Sequence, residues 1–170
     1  MAIVIGETSY ISLADADLYM ANSYVSTSIE FTTWDALSDG DKEIHLKKAT
    51  KKIDRQMLRG VKAVDTQTLE FPRALKSCSV YYDNNVVEDS VNQLVLDAQV
   101  EEAMAMSITG SSTSNRQTLQ QQGVKSFTLG DLSETYGAKL PSSFNSTNLA
   151  SNTAKELLKY YLAGGVSISC

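Results

Sequence analysis

The sequence predicts a mainly α-helical bundle with one β-hairpin and extended or flexible arms. Three observations predict it: stretches with apolar residues at helical spacing, serines that open those stretches, and one stretch in which apolar and polar residues alternate. The chain has 170 residues, 42% of them hydrophobic, and can bury a core without disulfide or metal cross-links. We therefore expect a single domain over residues 1–170.

The first predicted helix begins at Ser12, because Ser12 and Asp15 have the spacing of a capping box. An extended arm over residues 3–5 precedes it. We expect this helix to end near residues 22–26, and a loop to lead from there to Trp34. Trp34 is the only tryptophan, and its apolar neighbours favour a role as an anchor of the core.

The second predicted helix carries the clearest pattern in the sequence. Ser38 is its predicted N-cap and Gly60 its predicted C-terminal stop. At helical spacing its inner face consists of Leu46, Ala49, Thr50, Ile53 and Met57. Its opposite face consists of basic residues, namely Lys47, Lys48, Lys51, Lys52, Arg55 and Arg59.

The sequence after Gly60 predicts first an extended stretch and then a buried helix. Pro72 restricts Phe71 to an extended conformation, so residues 69–73 are not a helix interior. A third helix is predicted after Ser90, and it lies at the centre of the bundle because it is apolar on most sides. Residues 109–123 are rich in Ser, Thr, Gln and Gly, which predicts a flexible loop.

The last third of the chain predicts a hairpin and a helix. Alternation of apolar and polar residues predicts strands over 124–129 and 132–136, with a turn at Gly130 and Asp131. A final helix is predicted over about 152–163. The tail 164–170 is too short to fold alone.

The sequence indicates neither a catalytic nor a metal site. His45 is the only histidine, and no nucleophile accompanies it as a catalytic triad would require. Cys78 and Cys170 have no metal-ligand spacing, and we expect them to be reduced thiols. There is no glycine-rich phosphate-binding motif. We therefore expect no enzyme activity and no cofactor.

Charge is distributed unevenly along the chain. The formal net charge is −5, whereas residues 41–76 contain ten basic and five acidic residues, a net +5 that leaves −10 for the remainder. Such a segment can be a solvated helix face, steer docking of like subunits or an acidic partner, or contact DNA phosphates. No stretch has the length of a membrane span, and we expect synthesis in the cytoplasm without a signal peptide.

Four stretches, in their order and spacing, resemble the head–tail connector (adaptor) proteins of long-tailed phages. Relatives of that family are also labelled DnaT-like single-stranded-DNA-binding proteins. The stretches are SYISLADADLY at 9–19; Trp34 with DKE at 41–43, AT at 49–50 and ID at 53–54; QTLEFPR at 67–73; and VKS at 124–126 and GDLS at 130–133 with LLKYYL at 157–162. This chain has Phe71 where the family often has Trp, and Tyr160 where it often has Pro, which leaves the end of the last helix open.

The resemblance implies a structural virion protein in the phage neck. It implies that copies of this chain form a ring, a dodecamer as in related connectors, between the portal protein and the tail-completion, terminator or tail-tube proteins. Double-stranded DNA would pass through the lumen without sequence-specific binding. The alternatives are a head-closure or tail-completion protein of the same neck, and a single-stranded-DNA-binding protein. The last needs aromatic residues among basic ones, and the basic helix face has none.

We expect docking to other copies, to the portal or to the tail through three sets of residues. The first set is the basic face of the second helix. The second comprises the hairpin residues Val124, Phe127, Leu129, Leu132 and Tyr136, because a free strand edge can extend pairing to a neighbour. The third comprises the last-helix residues Leu157, Leu158, Tyr160, Tyr161 and Leu162.

Overall fold

The computed structural model describes residues 2–75, 86–108, 126–129, 132–135 and 148–163. Within these ranges the helices are α1 (Leu13–Ser23), α2 (Ile29–Asp35), α3 (Asp39–Asp54), α4 (Gln93–Ile108) and α5 (Asn152–Leu157). The strands are β1 (Val61–Lys62), β2 (Arg73–Leu75), β3 (Val86–Val87), β4 (Ser126–Leu129) and β5 (Leu132–Thr135). The predicted mainly α-helical fold with a β-hairpin is confirmed. The predicted loop 109–123, the tail 164–170 and both cysteines lie outside the described residues.

Helix α4 lies at the centre of the bundle, as its sequence predicts. It packs against α1, α2, α3 and α5. The buried side chains form two clusters, and Leu96 of α4 packs against both. Since α4 is covered on several sides, its apolar residues are not confined to one face. None of the helices in the described ranges is long and apolar enough to cross a membrane.

A buried glutamine of α4 holds the segment just before α1 in place. Gln99 is fully buried, and its Oε1 accepts a hydrogen bond from the Tyr10 N–H at 3.0 Å. Its Nε2 donates to Ser9 Oγ at 2.7 Å and to the Leu46 carbonyl at 3.1 Å. These bonds satisfy a side chain whose burial without partners would be costly, and they join the arm and α3 to α4.

Serine caps open four helices, two of which the sequence predicts at Ser12 and Ser38. The Ser12, Ser28, Ser38 and Ser151 side chains each accept a hydrogen bond from a backbone N–H three residues later. The cap at Ser28 opens α2, where we expected a loop, so that expectation was wrong. Trp34 of α2 is 2% exposed, as predicted for a core anchor.

Helix α3 ends at Asp54 and not at Gly60, contrary to the prediction. Because the helix stops, Met57 no longer continues its inner face, and its side chain is 79% exposed. Gly60 instead has a positive φ of 73°. A Cβ on Gly60 would lie 2.2 Å from the Ala74 carbonyl oxygen, so glycine allows β1 to approach β2 closely.

The strands form two separate sheets. β1, β2 and β3 pair in that order as a short antiparallel sheet, which the sequence did not predict. Its strands have only two or three residues, too few to show an alternating pattern. β4 and β5 form the predicted antiparallel hairpin, with Leu129 paired to Leu132 across the turn.

Helix α5 is shorter than the predicted helix over 152–163. After Leu157 the chain turns and runs antiparallel to the segment that follows α3. A bridge joins Leu58 and Leu162, and the Arg59 N–H donates to the Tyr161 carbonyl at 2.7 Å. This pairing competes with helix continuation and fixes the end of α5 beside the end of α3.

Candidate assembly surfaces

Lys52, one of the predicted docking residues, is bound within its own chain. Its Nζ lies 2.7 Å from Oε1 of Glu102, whose side chain is fully buried. The same carboxylate accepts hydrogen bonds at 2.9 Å from the N–H groups of Ala150 and Ser151. Glu102 therefore joins α3, α4 and the start of α5, and Lys52 compensates a buried charge.

Lys47 is also engaged within the chain. Its Nζ lies 3.5 Å from Oε2 of Glu43, one helical turn earlier, and both side chains are partly exposed. A partly exposed pair at this spacing contributes little to stability, but it reduces the positive charge that this part of α3 presents to a partner.

Lys48 and Lys51 of α3 form an exposed strip with Ile44 before them and Arg55 at the C-cap, whereas Lys42 is buried and paired with Asp17. Ile44, Lys48, Lys51 and Arg55 follow one another at spacings of four, three and four residues, which places them on one side of the helix. All four are exposed, and in the described part of the chain the three cations form no ion pair. Arg59 is exposed just beyond the helix.

We call Lys51, Arg55 and Arg59 the basic end of the molecule. Two apolar side chains beside it are exposed, Met57 at 79% and Val61 at 52%. A surface that combines exposed apolar side chains with several positive charges has the composition of a protein docking surface.

The opposite end of α3 is acidic. Residues 1–41 contain seven acidic residues and no lysine or arginine. Three of the acidic residues, Asp35, Asp39 and Asp41, are exposed around the start of α3, and we call them the acidic end. With 16 residues, α3 is about 24 Å long at about 1.5 Å per residue, so the two ends are well separated.

The hairpin has two chemically distinct faces. Its register pairs Phe127 with Glu134 and Leu129 with Leu132, which places three apolar residues, Phe127, Leu129 and Leu132, on one face together with the acidic Glu134. The other face consists only of hydroxyl residues, namely Ser126, Thr128, Ser133 and Thr135. β4 and β5 pair with each other but do not take part in the extensive packing among the described helices. The predicted docking residues Val124 and Tyr136 lie outside the described residues.

The predicted docking residues of the last helix are mostly used by the core. Leu158 and Tyr161 are buried, and Leu157 and Leu162 pack against the same cluster. Tyr160 is 62% exposed and is the member of this set that a partner can reach most readily.

The backbone pairing after α5 brings Tyr160 to the basic end. Tyr161, its neighbour in sequence, accepts a hydrogen bond from the Arg59 N–H. Lys159 Nζ lies 5.0 Å from the centroid of the Tyr160 ring, within cation–π range. The Tyr160 ring thus lies beside one cation, Lys159, on a segment whose backbone is bonded to that of Arg59. Sequence reasoning missed this pairing because about 100 residues separate the two segments and no local pattern links them.

Groups suited to chemistry are sparse in the described ranges. His45 is half-buried, and burial, followed by the nearby Lys48, lowers its pKa, so the ring is neutral at pH 7. Within those ranges no three His, Cys, Asp or Glu side chains are grouped as metal ligands would be. A groove of about 490 Å³ beside α1 includes Asp15, but that carboxylate accepts a hydrogen bond from the Ser12 cap.

The family model described as "Putative DnaT-like ssDNA binding protein" matches residues 2–170. The chain belongs to this family. Comparisons with curated proteins and with solved structures found no significant match. Membership of the DnaT-like family confirms that part of the resemblance found in the sequence. The assignment to phage connectors is more specific than the family match and stays a prediction.

Proposed function

We propose that this DnaT-like chain is a non-catalytic adaptor of a phage neck. In this proposal its copies assemble into a ring between the portal protein and the tail, and the ring surrounds the path by which DNA leaves the head. The observation that carries the proposal is the hairpin, whose apolar residues share one face and which has no extensive packing partner among the described elements.

An isolated two-stranded hairpin is marginally stable in water and needs packing against another element. Its free edges can also pair with a strand of a second chain. A hairpin of this kind is therefore better suited to docking on a neighbouring subunit or on the portal than to standing alone. The four hydroxyl residues of the other face tolerate solvent.

The net charge of the chain is consistent with a channel that DNA passes through. At a formal charge of −5, the molecule as a whole repels phosphates and does not hold DNA tightly. Unlike surfaces on one subunit generate rings when the rotation between neighbours closes. A head-closure or tail-completion role in the same neck would use the same surfaces and differs in the partners contacted.

The test is the native mass of the full chain, alone and mixed with the portal protein of the same phage. We expect assemblies at multiples of 18.5 kDa, about 222 kDa for twelve copies. Leu129→Asp, on the apolar hairpin face, should abolish them, whereas its neighbour Thr128→Asp, on the hydroxyl face, should leave them intact. Chains that remain monomeric beside the portal would overturn the proposal.

The second candidate is single-stranded-DNA binding. The description of the family favours it, and so does the exposed Tyr160 ring, which lies beside Lys159 on a segment whose backbone is bonded to that of Arg59. Proteins that bind single strands stack bases on aromatic rings and contact the backbone with cations. In the described ranges of this chain, the exposed ring of Tyr160 would be the surface on which a base stacks.

A titration with a fluorescent oligothymidylate at low and high salt tests this candidate. Specific binding should weaken steeply with salt and should be lost in Tyr160→Ala and in Arg59→Ala. Glu7→Ala, an exposed residue on the N-terminal arm, serves as the control. Absence of binding at low salt would dismiss single-stranded-DNA binding.

A further inference from the structure

We propose that the basic end of one copy docks on the acidic end of the next, so that the chain assembles head to tail through α3. This inference rests on the proposed ring function and names the two surfaces that form its subunit contact. Its occupant is a second copy of the chain, and the complementary surface is present on the same molecule.

Charge complementarity is the first support. The exposed residues Lys51 and Arg55 lie at the C-terminal end of α3, and neither forms an ion pair within the described ranges. The exposed residues Asp35 and Asp39 lie at its N-terminal end, in a stretch without any basic residue. Docking brings unlike charges together and steers the approach of copies in one orientation.

Exposed apolar residues provide a second, independent support. Met57 and Val61 are exposed beside the basic end, and Ile44 is 48% exposed one turn beyond Asp41 at the acidic end. Protein interfaces have an apolar centre and a polar rim. Each end of α3 presents both exposed apolar residues and charged residues. A surface that only contacts phosphates does not need the apolar residues.

The distance between the ends favours a head-to-tail contact over a two-fold dimer. The ends are about 20 Å apart along α3, so each copy can engage two neighbours at once. A two-fold axis across the exposed strip would instead bring Lys48, near the middle of α3, close to its symmetry mate. Like charges at that point oppose the two-fold arrangement.

The competing occupant of the basic end is single-stranded DNA. The cations of the strip could contact phosphates, but the net charge of −5 opposes such binding. The acidic end would then have no role, and the exposed Met57 and Val61 would remain uncovered. The observations favour a second copy over a nucleic acid, and the experiment below separates the two.

The experiment uses two charge reversals in the full chain. One variant is Lys51→Glu with Arg55→Glu, and the other is Asp35→Lys with Asp39→Lys. Native mass is measured for each variant alone, for an equal mixture of the two, and for a chain carrying all four substitutions. Glu7→Lys, at an exposed site outside both ends, controls for the change in net charge.

We expect each reversal alone to weaken assembly at least about 10-fold, since like charges then face each other. The equal mixture and the fourfold variant should both recover assembly, because each restores unlike pairs at the contact. Glu7→Lys should assemble like the parent. A fold defect in one variant is recognised by circular dichroism and cannot produce recovery in the mixture.

The outcomes distinguish the two proposals. A parent chain that assembles equally well with either reversal overturns head-to-tail docking but leaves the ring adaptor intact. A parent that stays monomeric, alone and with portal protein, overturns both. Loss of oligonucleotide binding in the Lys51 and Arg55 variant, without recovery of assembly in the mixture, would assign the basic end to nucleic acid.

Discussion

At the scale of single residues, carboxylates buried against hydrogen-bond donors hold the bundle together. Tyr19 and Tyr24 both donate to Glu101, which is 3% exposed. Burial, together with the hydrogen bond to Glu101, raises the pKa of both tyrosines. The two tyrosine hydroxyls stay protonated across the physiological pH range. Their hydrogen bonds to Glu101 are therefore structural and do not depend on pH in that range.

Glu102 should be among the most sensitive positions in the chain. In Glu102→Ala, the N–H groups of Ala150 and Ser151 lose their acceptor and Lys52 loses its counter-charge. We expect a loss of about 3 kcal/mol in the free energy of unfolding. Urea unfolding followed by the fluorescence of Trp34 measures it. Lys51→Ala, exposed one residue away from Lys52, should change stability by less than about 0.5 kcal/mol.

Asp54 should make stability depend on pH. Burial raises its pKa, while the hydrogen bond from Tyr10 opposes the rise. A raised pKa in the folded state means that stability is greatest below the unfolded pKa and is lost as pH rises through the folded value. Asp54→Asn removes this loss and keeps an acceptor for Tyr10.

Thermal unfolding of Asp54→Asn and of the parent at several pH values tests this expectation. The stability of the variant relative to the parent should increase as pH rises from about 4 to 7. Asp35→Asn, at an exposed site, is the matched control for the loss of one carboxylate. A difference that is constant with pH, or that falls, would show that the carboxylate of Asp54 is not destabilised by folding.

None of these residue-level contacts could be predicted from the sequence. Glu101 and Glu102 are adjacent and look like a solvated acidic pair, yet α4 is covered on several sides and buries both. Their donors lie about 50 to 80 residues away in sequence, at Tyr19, Tyr24 and Ala150. The packing of several elements around α4 brings these carboxylates and their donors together, and no local spacing in the sequence predicts it.

At the scale of elements, helix caps and apolar periodicity could be predicted from the sequence. A helix that forms because tertiary packing outweighs its low propensity could not. The caps at Ser12 and Ser38 were predicted because a serine precedes acidic residues and an apolar period. Helix α2 was missed because its sequence, IEFTTWD, is rich in β-branched and aromatic residues with low helix propensity. Its packing against α1 and α4 outweighs that propensity.

The contact between β1 and β2 depends on Gly60. Gly60→Ala places a Cβ 2.2 Å from the Ala74 carbonyl oxygen and forces a positive φ on alanine. We expect a loss of at least about 2 kcal/mol, measured as a lower Tm. Gly40→Ala is the matched control, since Gly40 lies in α3 with Ser38 Oγ at 3.9 Å, and it should leave stability unchanged or raise it by up to about 1 kcal/mol. Equal effects at both glycines would contradict this account.

At the scale of the whole molecule, the proposed head-to-tail docking through the charged ends of α3 predicts that assembly is sensitive to salt. The screening length shortens from about 10 Å at 0.1 M salt to about 3 Å at 1 M. We expect the assembled fraction, measured by analytical ultracentrifugation, to fall over this range in the parent. The chain with all four charge reversals should respond in the same way. Assembly that is unaffected by salt would mean that apolar contacts, such as those of the hairpin, dominate the interface.

The charged segment was visible in the sequence, but its use was not. The sequence predicted one basic face on the second helix, whereas the structure divides it into Lys47 and Lys52, which are paired within the chain, and an exposed strip. The juxtaposition of Tyr160 with the basic end was also unpredictable, because it depends on the backbone pairing of Leu58 with Leu162. Charge patterning thus predicted a docking helix, but it did not indicate which of its cations form no ion pair in the described part of the chain.

A density map of the neck in purified virions tests the central claim most directly. We predict that copies of this chain form a closed ring between the portal and the tail, with the DNA path through its centre and the apolar hairpin face against a neighbour. Virions that lack the chain, or that carry it as isolated copies away from the DNA exit path, would contradict the claim.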